Sequence, residues 1–145
     1  MFKRRQSKEV ASRLRDVAFF EGFTDHDLVR VASLAEEITA EKGAELMDQG
    51  QPGLECYVIE EGEAGVLFSG EHVATLGPGS MVGEMALIDH RPRSASVVAE
   101  TPMTLLSLNA KSFRKMLDEM PKASQKVMAL LNARLRENRE RTEDG

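Results

Sequence analysis

Glu84 and Arg93 stand nine positions apart in the run GSMVGEMALIDHRPRSASV, residues 79–97, with Gly83 before the first and Pro92 before the second. The apolar segment from Met85 to Ile88 between them is long enough for about one turn of helix. A helix start leaves backbone N–H groups without partners, and these favour an anion. Arg93 adds a planar guanidinium that suits phosphate oxygens. Glu84 accepts hydrogen bonds and repels a phosphate, so it suits a hydroxyl beside one. A phosphate site next to a carboxylate that takes a sugar hydroxyl describes a nucleotide pocket.

The same residues resemble the phosphate-binding cassette of cyclic nucleotide-binding domains. That family carries Gly-Glu-x-Ala-Leu, a short variable stretch, then Pro-Arg, a small residue, Ala, and Ser or Thr. Here the two parts read Gly83-Glu84-Met85-Ala86-Leu87 and Pro92-Arg93-Ser94-Ala95-Ser96, at the family's spacing. A second matching stretch is the turn Gly50-Gln51-Pro52-Gly53 with the strand Tyr57-Val58-Ile59-Glu60-Glu61-Gly62. The resemblance covers about residues 10–136.

The resemblance implies a role for each cassette residue. Arg93 pairs with the exocyclic phosphate oxygens, and the N–H groups of Ala86 and Ser94 donate to the phosphate. Glu84 accepts from the ribose 2′-hydroxyl, and Gly83 lets the backbone approach the ribose. Met85 and Ala95 complete the cassette, Val82 and Leu87 form its wall, and Ser96 is a further candidate contact. Ser94 stands where family members that prefer cAMP or cGMP differ, and serine there occurs in bacterial cAMP-binding relatives. The expected ligand is therefore cAMP ahead of cGMP, with no cofactor. The base needs a cover from the last helix, for which Met128, Leu131 and Arg134 have reachable spacing; plain packing of helix on barrel accounts for the same residues.

The elements that must hold this cassette follow from pattern. Val10, Leu14, Val17 and Ala18 have helical spacing, so a helix is expected from about Val10 to Phe20. Phe19, Phe20 and Phe23 read as core. Thr24 with Asp27 forms a capping box opening a second helix through Leu28, Val31, Ala32 and Ala35. From Ile38 onward, short apolar runs separated by Gly, Pro and Asp read as strands and turns. Val66-Leu67-Phe68 and Val73-Ala74-Thr75-Leu76 flank Ser69-Gly70 as a hairpin. Ala95 to Ala99 and Met103 to Leu108 are the last strands. Ala110 to Leu117 is a short helix, and Pro121 suits the first turn of a longer one in which Val127, Leu130, Leu131, Arg134 and Leu135 share a face. The fold class is mainly β with flanking helices (α+β): an eight-stranded β-roll, or jelly roll, with N-terminal helices and C-terminal hinge and lid helices. Residues 1–145 form one domain, with helices at about 8–36, the roll at about 37–109 and helices again at about 110–140.

Composition bounds the function. A chain of 145 residues can bury roughly two-thirds of its unfolded surface without disulfides. The single cysteine, Cys56, lies in an apolar run and reads as a buried strand thiol, which suits a reducing compartment. No leader-like apolar stretch or membrane-length run is present, so a cytoplasmic protein is expected. The formal net charge is −5, and from Val31 to His90 the one lysine or arginine is Lys42. That balance argues against direct nucleic-acid binding and means an anion site must be built locally. His26, His72 and His90 sit on separate elements with no metal-ligand spacing, and no serine has a recognisable base partner.

The sequence therefore reads as a cyclic nucleotide sensor without catalytic activity, signalling by conformational change. About 25 residues follow Pro121, too few for a DNA-binding helix pair beyond a lid helix. The output is expected in trans, through an unidentified protein effector, or in a larger protein of which this is a part. Met1 suits a chain start. A protein-interaction module with a ligand-independent pocket and the sensor part of a truncated transcription regulator are the alternatives. The terminal helices leave a homodimer open.

Overall fold

The structure, a computed structural model, describes residues 7–144; at Ser7, at Arg134 and from residue 137 onward it describes the backbone alone. The chain opens with α1 (Ser7–Leu14), a single 3-10 turn (Ala18–Phe20) and α2 (Asp25–Leu34). One continuous helix to Phe20 was the expectation. The helix instead stops at Leu14, and the tighter turn brings Phe19 and Phe20 round onto Phe23, with Phe20–Phe23 ring centroids 5.2 Å apart in an edge-on pair. Thr24 caps α2 as its sequence implies: its hydroxyl accepts from Asp27 N–H at 3.0 Å and Asp27 accepts from Thr24 N–H at 3.3 Å. Such a cap stabilises a helix by about 1 kcal/mol.

Eight strands follow: β1 (Glu36–Ala40), β2 (Glu45–Met47), β3 (Glu55–Glu61), β4 (Ala64–Phe68), β5 (Glu71–Leu76), β6 (Met81–Val82), β7 (Ser96–Ala99) and β8 (Met103–Asn109). They form two antiparallel four-stranded sheets, ordered β1-β8-β3-β6 and β2-β7-β4-β5. This is the expected roll, and the β4–β5 hairpin turns at Ser69-Gly70 as expected. Gly70, at φ 82, supplies the left-handed conformation that the turn needs.

The core has two layers because β3 and β8 are covered on both faces. Tyr57, Ile59, Met103 and Leu105 point between the sheets, where they meet Met47, Ala64, Val82, Val97 and Ala99. Cys56, Val58, Leu106 and Leu108 point the other way, onto the helices. Two-sided burial explains why Cys56-Tyr57-Val58-Ile59 is apolar without alternation.

The helical layer closes with α3 (Glu84–Asp89) inside the roll, then α4 (Ala110–Glu119) and α5 (Pro121–Asp144) after it. Met120 separates the last two at φ −124, ψ 104, the extended backbone favoured before proline. The junction is held against the N-terminal helices. Arg30 Nε and Nη2 donate to the two carboxylate oxygens of Glu119 at 2.9 Å each, and Gly22 lets the turn after Phe20 pack beside the Lys122 stem.

Candidate anion and sugar site

Strand β6 pairs Val82 with Tyr57 and delivers the chain to Gly83. Gly83 adopts φ 85 and ψ 2, a left-handed conformation that starts α3. A side chain here would run into the Met47 thioether and Arg93 Nη1. Glycine is thus required twice, for its backbone and for its lack of bulk. The other end of α3 closes at His90, also left-handed at φ 58, whose N–H donates to Ala86 O at 3.1 Å. The chain then doubles back to Pro92 and Arg93.

Arg93 is fixed at both backbone and side chain. Its N–H donates to Gln51 O at 2.8 Å, and its carbonyl accepts from Gly50 N–H at 2.9 Å. Its guanidinium Nη1 donates to Gly83 O at 2.8 Å, and Nη2 donates to Glu55 O. Gly53 lies against it: a Cβ there would fall 3.2 Å from Arg93 Cζ and collide with the Ala86 side chain. The residue is 7% exposed. No described carboxylate forms an ion pair with it. Two of its five N–H donors are used on carbonyls, so the rest can serve a ligand. A buried charge without a counter-charge is costly, and an anion would relieve that cost.

Arg93 lines a recess of about 230 Å³. Val82, Gly83, Glu84, Met85, Ala86, Ser94 and Ala95 line it too. Eight of the nine cassette positions expected at the ligand are therefore brought together. Burial raises the Glu84 carboxyl above the usual carboxylate range, while a hydrogen bond from its own backbone and the Arg93 charge pull it back. The same neighbourhood pushes the Cys56 thiol up to about 12, chiefly through burial.

Three of the expected positions lie off this recess. Ser96 does not line the recess; its hydroxyl accepts from Gln49 N–H at 3.0 Å and lies 3.4 Å from Asp48 Oδ1, bracing the turn after β2. Met128 is exposed and Leu131 packs on the helical core, so neither covers the recess. The reason is rotational: Ala123, Val127 and Leu131 form the stripe of α5 that meets the core, which turns Met128 to solvent. The α5 residues that reach the pocket region are Lys126, Ala129 and Leu130. The Arg134 side chain lies outside the described residues.

Sequence reasoning missed the partners of Arg93. Met47, Gly53 and the carbonyl of Glu55 shape its seat. The Gly50–Gly53 turn was visible as a motif, but nothing local tied it to the arginine. Among the described residues there is no cluster of His, Cys, Asp and Glu that could hold a metal, and no described helix is long and apolar enough to cross a membrane.

Known proteins share this fold. The family model described as "Cyclic nucleotide-binding domain" matches residues 37–120. The chain is 37% identical over 100 residues to a cAMP-dependent protein kinase regulatory subunit of Yarrowia lipolytica, covering 68% of this chain and 27% of the relative. It therefore spans under a third of that relative's length. Among solved structures, it is similar to the regulatory domain of Toxoplasma gondii PKA co-crystallised with cAMP, with a TM-score of 0.76, 27% identity, and coverage of 91% of this chain and 50% of that one. It is also similar to the Thermus thermophilus catabolite activator protein, with a TM-score of 0.74, 28% identity, and coverage of 86% and 61%.

Proposed function

Since the chain belongs to the cyclic nucleotide-binding domain family, we propose that it is a sensor that binds cAMP in preference to cGMP and passes that event to a protein partner in trans. The observation that carries this reading is Arg93, a buried cation with no described ion-pair partner, on the wall of a recess that also holds Glu84. In the proposed complex, Arg93 and the N–H groups of Ala86 and Ser94 take the cyclic phosphate. Glu84 takes the ribose 2′-hydroxyl. Each hydrogen bond to a charged group contributes roughly 1.5–3 kcal/mol. A 2′-deoxy ligand leaves Glu84 buried without its donor and should bind correspondingly less well.

Preference for cAMP is supported by the relatives, which are cAMP-dependent protein kinase regulatory subunits, and by serine at position 94. The domain itself performs no reaction in this reading. The buried thiol of Cys56 suits work in the reducing cytoplasm. Ligand capture would draw the α3 segment inward, and α4 and α5 would shift about Met120, a two-state change biased by the ligand.

Titration calorimetry of cAMP and cGMP against the wild-type chain and Arg93→Ala tests the binding. Micromolar or tighter binding that the substitution abolishes supports the sensor. No binding of either nucleotide would turn the reading to an interaction module whose pocket works without ligand.

A further inference from the structure

Past Glu84 lies a second, larger recess of about 600 Å³. Leu76, Met81 and Glu84 line both spaces, so the two adjoin at the carboxylate. Its far side is α5, through Lys126, Ala129 and Leu130, and the first helical layer supplies Val17, Ala18 and Phe19. Apart from Glu84, the lining side chains that carry polar groups are Ser80 and Lys126.

Lys126 is half-buried and makes no hydrogen bond or ion pair with any described residue. Helical spacing puts it beside the core-facing stripe of Ala123 and Val127, which fixes that side of α5 toward the roll. An acceptor placed in that space could take a hydrogen bond from this ammonium.

A nucleotide with its phosphate at Arg93 and its sugar hydroxyl at Glu84 fills the first recess. Its base then needs mostly apolar space adjoining Glu84, which the second recess supplies. Resting on the proposed function, we infer that Lys126 reads the base, donating from its ammonium to N7 of a purine held in the second recess. Lysine has three donors and no acceptor, and N7 is an acceptor in both adenine and guanine. Pyrimidines lack that ring. Lys126 thus selects purine over pyrimidine cyclic nucleotides and leaves the choice between adenine and guanine to other groups such as Ser94.

The test compares cAMP with its 7-deaza analogue, tubercidin 3′,5′-cyclic monophosphate, in which a C–H replaces N7. Calorimetry is run on the wild-type chain and on Lys126→Met, which keeps the length of the stem. The wild type is expected to bind cAMP about tenfold or more tightly than the 7-deaza analogue, the worth of a charge-assisted hydrogen bond. Lys126→Met is expected to lose that factor for cAMP and to bind both ligands alike. Equal affinity of the wild type for the two ligands overturns the inference, as does a Lys126→Met variant that still tells them apart. Failure of the underlying reading looks different: the wild type then binds neither ligand at all, and the inference falls with it.

Discussion

Arg93 Nη1 donates to the carbonyl of Gly83 at 2.8 Å, so the guanidinium is held by the residue that starts α3 and precedes Glu84. Gly83, ten positions before Arg93, thus anchors both the cation and the carboxylate, and both line the recess. Replacing Arg93 with lysine keeps the charge but not the fork, since an ammonium cannot reach the carbonyls of Gly83 and Glu55 in the same plane. Arg93→Lys is expected to weaken cAMP binding by at least tenfold and Arg93→Ala by at least a hundredfold in calorimetry. Two buried carbonyls lose their donor in the alanine variant, which should also lower stability in urea by about 1–3 kcal/mol. Wild-type affinity in Arg93→Lys would mean that the fork does not matter.

Gly83→Ala faces both a left-handed backbone and a collision with Met47 and Arg93 Nη1. The backbone alone costs about 1–2 kcal/mol, and the collision displaces the guanidinium. Urea unfolding should show at least that loss, together with a large drop in nucleotide affinity. Gly53→Ala separates the two effects. Its backbone is ordinary, but its Cβ would press on Ala86 and Arg93. It is expected to harm binding more than stability, and a variant that binds like wild type would show that the seat of Arg93 can relax.

The cassette was legible because it is contiguous: strand end, glycine, short helix and arginine lie within one stretch of chain. The burial of Cys56 on a strand was legible from its apolar run, while the cover on both faces of β3 comes from packing. What escaped depends on distant packing. The Glu55 carbonyl meets Arg93 across 38 residues and carries no side-chain signature. The stop at Leu14 has no glycine or proline to announce it, because the Phe19–Phe23 cluster bends the chain through tertiary contact. Periodicity gave α5 as a helix, but which stripe meets the core was set by Ala123 and Val127 lying against it. That choice exposes Met128 and aims Lys126 at the pocket region.

Cys56 offers a probe of opening. It is 0% exposed on β3, and burial pushes its thiol up to about 12. Both features suppress the thiolate that reacts. A disulfide-exchange reagent at mildly alkaline pH should leave the native chain unmodified and label it at the rate of unfolding in urea. cAMP should slow labelling in intermediate urea, because a ligand that binds only the folded state stabilises it. Rapid labelling without denaturant would show that the helical layer over β3 opens readily.

Glu84 should give binding and stability opposite dependences on pH. Its carboxyl is raised, first by burial, in the unliganded fold. A ribose hydroxyl donates to the ionised form, so affinity for cAMP should rise as pH climbs through the raised value and level off above it. Folding runs the other way. A folded-state value above the unfolded one contributes stability that is complete below the unfolded value and is lost as pH rises through the folded one. Glu84→Gln removes the charge without changing the shape. It should flatten both curves, raise the thermal midpoint of the unliganded chain at neutral pH, and cost more affinity for cAMP than for 2′-deoxy-cAMP. If the wild-type pH dependence of binding persists in Glu84→Gln, the titrating group is another, and the carboxylate does not hold the sugar.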